Sequence, residues 1–162
     1  ARTIHAISRV AIVDFDVHHG NGTQTAFWSD SSVLFASSHE YPFYPGTGAE
    51  DECGNGNIYN VPLASSSGSA EFREGIERVI LPALENFDPG LIIISAGFDA
   101  HTRDPLASIR LEDEDFAWVT RKLVDVAGEY CDGKIVSSLE GGYDLEALST
   151  SVTAHLSELV SA

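Results

Sequence analysis

Four short runs of almost unbroken apolar residues constrain this chain more than any other feature: VAIV (10–13), VLFA (33–36), LIII (91–94) and IVSSL (135–139). Continuous apolarity over so few residues predicts strands covered on both faces, as in a parallel sheet. A fifth run, IYNVPL (58–63), reads as weaker. Its Pro62 cannot donate to a central ladder, which places the run at an edge or a strand end.

Helical patterns lie between these runs. Phe72, Ile76, Val79, Ile80, Ala83, Leu84 and Phe87 recur at helical spacing, with Ser69 as the expected N-cap and Pro82 as a kink or stop. A second helix is expected over about 113–130, with Phe116, Val119, Leu123, Val126, Ala127 and Tyr130 inward and an acidic first turn that suits the helix dipole. A third is expected over about 145–160, with Leu145, Leu148, Val152, Leu156 and Leu159 inward, and a short one over 22–28. Strands alternating with helices predict an α/β fold with a parallel sheet, helices on both faces and right-handed crossovers. The glycine-rich stretch 45–57 reads as a long surface loop of the kind that often carries function.

Composition narrows the function classes. The 162 residues suffice for one domain with a sizeable core. Nine basic residues stand against twenty-five acidic ones, a net charge of −16. Nucleic acid and an anionic membrane surface both need a positive face, so neither is expected as a direct partner. The acidity fits a cytoplasmic protein and would attract cationic substrates. Cys53 and Cys131 have no CxxC spacing and read as free thiols. No stretch approaches the roughly 18 apolar residues of a membrane span. The opening ARTIHAISR has no apolar h-region of a signal peptide. The chain contains no methionine, even at position 1, and is expected to be a piece of something longer.

In open α/β sheets, sites form beyond the carboxyl ends of strands. Three segments bring chemistry there: Asp14, Asp16 and His18 after the first run, Asp99 and His101 after LIIISAGF, and Glu140, Gly141, Gly142 and Tyr143 after IVSSL. Alternate residues of an extended chain share a side, so Asp14, Asp16 and His18 project together. Asp16 and His18 can ligate one ion, and Asp99 can add a third ligand. One imidazole and two carboxylates leave open coordination positions, as a catalytic zinc or iron site requires. A lone DxDxH is equally well a strand-end hydrogen-bond network; the matching strand ends favour the metal.

The stretches DFDVHHGNGTQ, PFYPGTG, SAGFDAHTRDPL and LEGGYDLEAL resemble the zinc-dependent histone deacetylase family, closest to its class II and bacterial amidohydrolase branch, which includes acetylpolyamine amidohydrolases. The resemblance runs from Arg9 nearly to the end. It implies an arginase/deacetylase-like sheet with five of the family's eight strands present. IYNVPL would form one edge and the GGY strand the other, with three further strands belonging beyond it. It implies a single partial catalytic domain over 1–162 that lacks the N-terminal segment. That segment, or a second copy in a homo-oligomer, is an expected partner. The implied activity is removal of acetyl or other acyl groups from acetyl-lysine or acetylated amines, polyamines included, by metal-activated water. Asp16, His18 and Asp99 would hold Zn2+, with Fe2+ or Co2+ as alternatives. Tyr143 would donate a hydrogen bond to the substrate carbonyl. Asp14, the Ser37 hydroxyl and main-chain carbonyls that include Ser38 would hold a structural K+. Phe43 or Tyr44 would line the acyl tunnel with Leu106 at its rim, where leucine points to acyl-lysine. Gly141 and Gly142 would let backbone approach the tunnel wall. The related two-manganese arginases need an aspartate where Gly20 stands, which favours one catalytic metal.

The family's general acid/base, an adjacent histidine pair well upstream, has no counterpart in the few residues before DFDVHH. His19 is expected to pack or hydrogen-bond beneath the site. His39 is expected just after the second strand, His101 in a loop and His155 in the last helix. The alternative expectation is therefore a truncated fragment that binds metal or a partner without turnover.

Overall fold

The computed structural model describes residues 1–161. After a single helical turn, α1 (Arg2–His5), the order is β1 (Val10–Asp14), α2 (Asn21–Phe27), β2 (Val33–Glu40), β3 (Ile58–Leu63), α3 (Ser69–Gly75), α4 (Leu81–Phe87), β4 (Leu91–Ala96), α5 (Asp113–Tyr130), β5 (Ile135–Leu139) and α6 (Leu145–Val160). All five strands pair in parallel in the order β3-β2-β1-β4-β5. IYNVPL and IVSSL thus form the two edges, as expected.

The larger core lies on one face of the sheet. Ala11, Val13, Leu34, Ala36, Ile92 and Ile94 meet Phe72, Ile76, Ile80, Leu84, Phe116 and Leu123 there. The other face carries a thinner cluster of Val10, Ile12, Val33, Phe35, Ile58 and Leu91, against which Ile7 and Phe27 pack. Both faces are covered over the inner strands, but unequally, and β5 departs from the expected covering: at the edge of the sheet it has no neighbour beyond it among the described residues, and Val136 and Leu139 are exposed.

Three local expectations change. Pro82 does not stop the helical run: it stands at the start of α4, and residues Ile76–Ile80 form a π-helical turn joining α3 to α4. Proline has no N–H to offer the Arg78 carbonyl. The wider turn lets Leu81 N bond Ile76 O instead. Ser69 is the first helical residue rather than the cap: Gly68 holds the cap position, and the Ser69 hydroxyl donates to Asp115 Oδ2 at 2.6 Å. His39 lies within β2, because the strand runs on through four buried polar residues, Ser37, Ser38, His39 and Glu40.

The largest correction concerns α6. Its buried residues are Ala147, Ser151 and His155, whereas Leu145 and Leu156 are 80% and 49% exposed. Leu148 and Val152 are half-buried against the core. Small and polar side chains face α5 and β5 because the contact is hydrogen-bonded. The Ser151 hydroxyl donates to Asp113 Oδ1 at 2.6 Å, and His155 bridges Thr120 at 2.6 Å and Ser137 at 2.9 Å. Thr120 already donates to Phe116 O, so His155 Nδ1 carries the proton to it and Nε2 accepts from Ser137. On α5 the inward face matches expectation except that Asp115 and Thr120 join it and Tyr130 is half-buried.

Burial pushes the His155 imidazole down to about 4, below its unfolded value near 6.5. The folded state therefore binds fewer protons than the unfolded one between these limits, and stability present above pH 6.5 is lost as pH falls toward 4. Thermal melts between pH 7.5 and 4.5 should show this loss, and His155→Gln should make it shallower.

Candidate metal centre

The parallel register fixes where the site forms. Asp14 pairs with Ser95, and Ser95 with Ser138, so β1, β4 and β5 end at one level and their exit loops converge. Asp16, His18 and Asp99 each place a ligand atom within 4.8 Å of the others. His18 Nδ1 lies 3.1 Å from Asp16 Oδ1 and 3.1 Å from Asp99 Oδ2. Asp99 is fully buried, while Asp16 and His18 are partly buried and open to the cleft.

Backbone donors also fix the carboxylates. Asp99 Oδ1 accepts from Val17 N at 2.9 Å, Asp16 Oδ1 from His18 N at 2.8 Å, and Asp16 Oδ2 from Gly141 N at 2.8 Å. Asp14 Oδ1 accepts from Asp16 N at 3.1 Å. Even so, the carboxylates repel. Burial first, then the Asp16 charge, push Asp99 up to about 7. The same two causes hold Asp14 well above the usual carboxylate range. A buried carboxylate set with one imidazole and no cationic side chain among its partners suits a divalent cation, which would offset that repulsion.

Glycines make room for the cluster. A Cβ at Gly141 would stand 2.2 Å from Asp99 Oδ2 and 2.6 Å from Asp16 Oδ2, and one at Gly97 would stand 2.2 Å from Asp16 Oδ2. Gly141 abuts the carboxylates and also lines the cleft. Gly142 adopts φ +142°, and a Cβ there would meet Leu148. A Cβ at Gly20 would stand 2.4 Å from Asp14 Oδ2, so an acidic side chain at that position would collide with Asp14.

The cleft is open, about 440 Å³, and lined by Asp14, Asp16, His18, Glu140, Gly141 and Tyr143 among others. Tyr143 is 54% exposed at its rim. Burial, with the charges of Asp99, Asp16 and Asp104, pushes its phenol above its ordinary value. Phe43 stacks on the His18 ring at 5.5 Å between centroids, and Tyr44 meets it edge-on at 6.2 Å. Leu106 is exposed. Its amide donates to Asp104 Oδ1 and that of Tyr143 to Asp104 Oδ2, so one carboxylate holds both loops. Ser37 Oγ pairs with His39 Nδ1 beside Asp14's strand position, and the buried Ser38 hydroxyl has no partner.

The other buried histidines are committed elsewhere. His19 bonds Thr47 and Gln24, as its expected place beneath the site suggested. His39 bonds Ser37 and Gly48. His101 is buried, stacked on Phe116, and accepts from Arg103 N. Motif reading missed Gly97 and Asp104. Gly97 stands inside the quoted SAGFD, and its flanking Asp99 was the available signal.

Strand order and ligand set together define a parallel-sheet α/β protein with a candidate mononuclear metal centre at the carboxyl ends of β1, β4 and β5. Residues 1–159 match the histone deacetylase domain, and the chain belongs to that family. It is 45% identical over 156 residues to histone deacetylase 10, chloroplastic, of Oryza sativa subsp. japonica, covering 94% of this chain and 35% of that protein. It is 44% identical over 142 residues to a probable deacetylase of Archaeoglobus fulgidus, covering 85% and 40%. The crystal structure of the HDA15 HD domain superposes with a TM-score of 0.90 at 41% identity, covering 96% of this chain and 45% of that one. The fold is therefore the arginase/deacetylase fold. The chain spans well under half the length of these two relatives. No helix among the described residues is long and apolar enough to cross a membrane.

Gly141→Ala should weaken Co2+ binding by about 10–100-fold, because its Cβ displaces both carboxylates. Asp99→Ala should abolish binding. Calorimetric titration measures both, with far-UV circular dichroism as the check on folding.

Proposed function

We propose that the protein is a metal-dependent amide hydrolase that removes acetyl or other acyl groups from acetyl-lysine or acetylated amines. The observation that carries this reading is the open cleft lined by Asp16, His18 and Tyr143, with the buried Asp99 carboxylate within reach of the same ion. Relatives named as deacetylases support it. Zn2+ is the favoured ion, with Fe2+ or Co2+ as alternatives, held by Asp16, His18 and Asp99. A bound divalent cation would polarise an amide carbonyl and make water a nucleophile near neutral pH.

The chain's own groups supply the rest. With its pKa raised, Tyr143 keeps its proton at neutral pH and can donate it as a hydrogen bond to the developing oxyanion. Asp104 holds the Tyr143 backbone in place. Phe43 and Tyr44 flank the acyl chain, with Leu106 at the rim. K+ would sit beside Asp14 with the Ser37 hydroxyl and the Ser38 main chain. The acidic surface favours a cationic substrate over nucleic acid.

A second reading, metal binding without turnover, is favoured by one observation. His19, His39, His101 and His155 are all buried and engaged in other contacts. None is free to act as general base.

The test is hydrolysis of an acetyl-lysine peptide by the Zn2+-loaded protein. Turnover should fall about 10²–10³-fold in Tyr143→Phe, with Co2+ affinity unchanged. A wild type that binds metal but does not turn over selects the second reading. One that binds no divalent metal removes both.

A further inference from the structure

The loop that carries Phe43 and Tyr44 is fastened by a buried polar layer behind the metal ligands. Gln24 Nε2 donates to Glu52 Oε2 at 2.5 Å, which fixes the orientation of the Gln24 amide. Its Oε1 then accepts from His19 Nε2 at 3.0 Å and from Asn60 Nδ2 at 2.9 Å. His19 Nδ1 is left to accept from the Thr47 hydroxyl at 2.8 Å. Glu52 also takes the amides of Gly48 at 3.1 Å and Ala49 at 3.2 Å. His39 Nε2 donates to Gly48 O at 2.9 Å. Gly48 is thus held at both its N–H and its C=O. A Cβ on it would stand 2.3 Å from His39 Nε2 and 2.7 Å from the His19 ring. All these attachments fall on residues 47–49, directly after the two aromatic residues. Free of them, the segment from 41 to 49 would have few bonds to the body: Tyr41 N to Leu63 O is one.

We propose that Glu52 is a positioning residue: through Gln24, His19 and the amides of Gly48 and Ala49, it clamps the 41–49 segment so that Phe43 stays stacked on the ring of His18. A carboxylate is needed at that place because three donors converge on it, and two of them share one oxygen. A neutral amide would turn a donor toward donors. The consequence for substrate rests on the deacylase reading above, since Phe43 would flank the acyl chain; the consequence for the ring contact does not.

The experiment compares Glu52→Gln and Glu52→Ala with wild type by NMR. Wild type should show proton–proton Overhauser contacts between the Phe43 and His18 rings, with His18 ring shifts displaced by the stacking. Both variants should weaken or lose these contacts, and their Gly48 amides should exchange at least about tenfold faster. With an acetyl-lysine peptide, KM should rise severalfold more than kcat falls. Ring contacts and His18 shifts unchanged in a folded Glu52→Ala protein overturn the proposal. If that variant does not fold, the same result in Glu52→Gln overturns it. Lost ring contacts in a protein that hydrolyses no peptide uphold the clamp and count against the deacylase reading alone.

Discussion

Everything at the functional end of this molecule depends on anionic side chains kept close together away from water. Asp14, Asp16 and Asp99 leave strands that end at one level, and burial and mutual repulsion raise Asp99 and Asp14 strongly. Such a cluster is tolerable only where backbone N–H groups face it and no further side chain intrudes. Both conditions are met. Val17, His18 and Gly141 supply donors, and Gly20, Gly97 and Gly141 leave the space. The glycine-rich character of the strand exits follows from the carboxylates they enclose.

Behind that cluster lies a neutral polar layer of different construction. His19 and His39 are buried with ring centroids 4.6 Å apart. Burial lowers both, His39 to about 4. Each has one nitrogen donating and one accepting, so neither needs charge to be satisfied. Glu52, at the outer end, stays ionised. Its partial burial would raise it, but the Gln24 amide and the Gly48 and Ala49 N–H groups outweigh that and leave it below the usual value. The layer joins α2, β2, β3 and the loop between the two strands.

Much of this was legible in the sequence because short-range pattern encodes it. The apolar runs marked all five strands; for β1, β2 and β4 this is because a strand covered on both faces has no polar alternation to confuse it, whereas IVSSL was marked although its edge position leaves it largely exposed. Asp16 and His18 were legible through period-two spacing, and Asp99 through its place after a strand. The failures have a common cause. β2 runs past VLFA and α6 buries Ala147, Ser151 and His155 rather than its leucines, because hydrogen bonds to distant partners decide those faces. Thr120 and Ser137, which satisfy His155, lie 35 and 18 residues away. Glu52 and Gln24, 28 residues apart, form no local motif either. The double histidine shows the same limit: adjacency in sequence sends His18 and His19 to opposite environments.

The bond from Gly141 N to Asp16 Oδ2 joins residues 125 positions apart, and that from Val17 N to Asp99 Oδ1 spans 82. The second needs β1 beside β4, the first needs β5 in place as well, and closing loops of that size is slow and costly in entropy. Assembly of the ion-binding end therefore comes late in folding. A chain that holds a divalent ion with all three ligands has, by that fact, already brought the exits of β1 and β4 together, so ion uptake reports the pairing of those two strands.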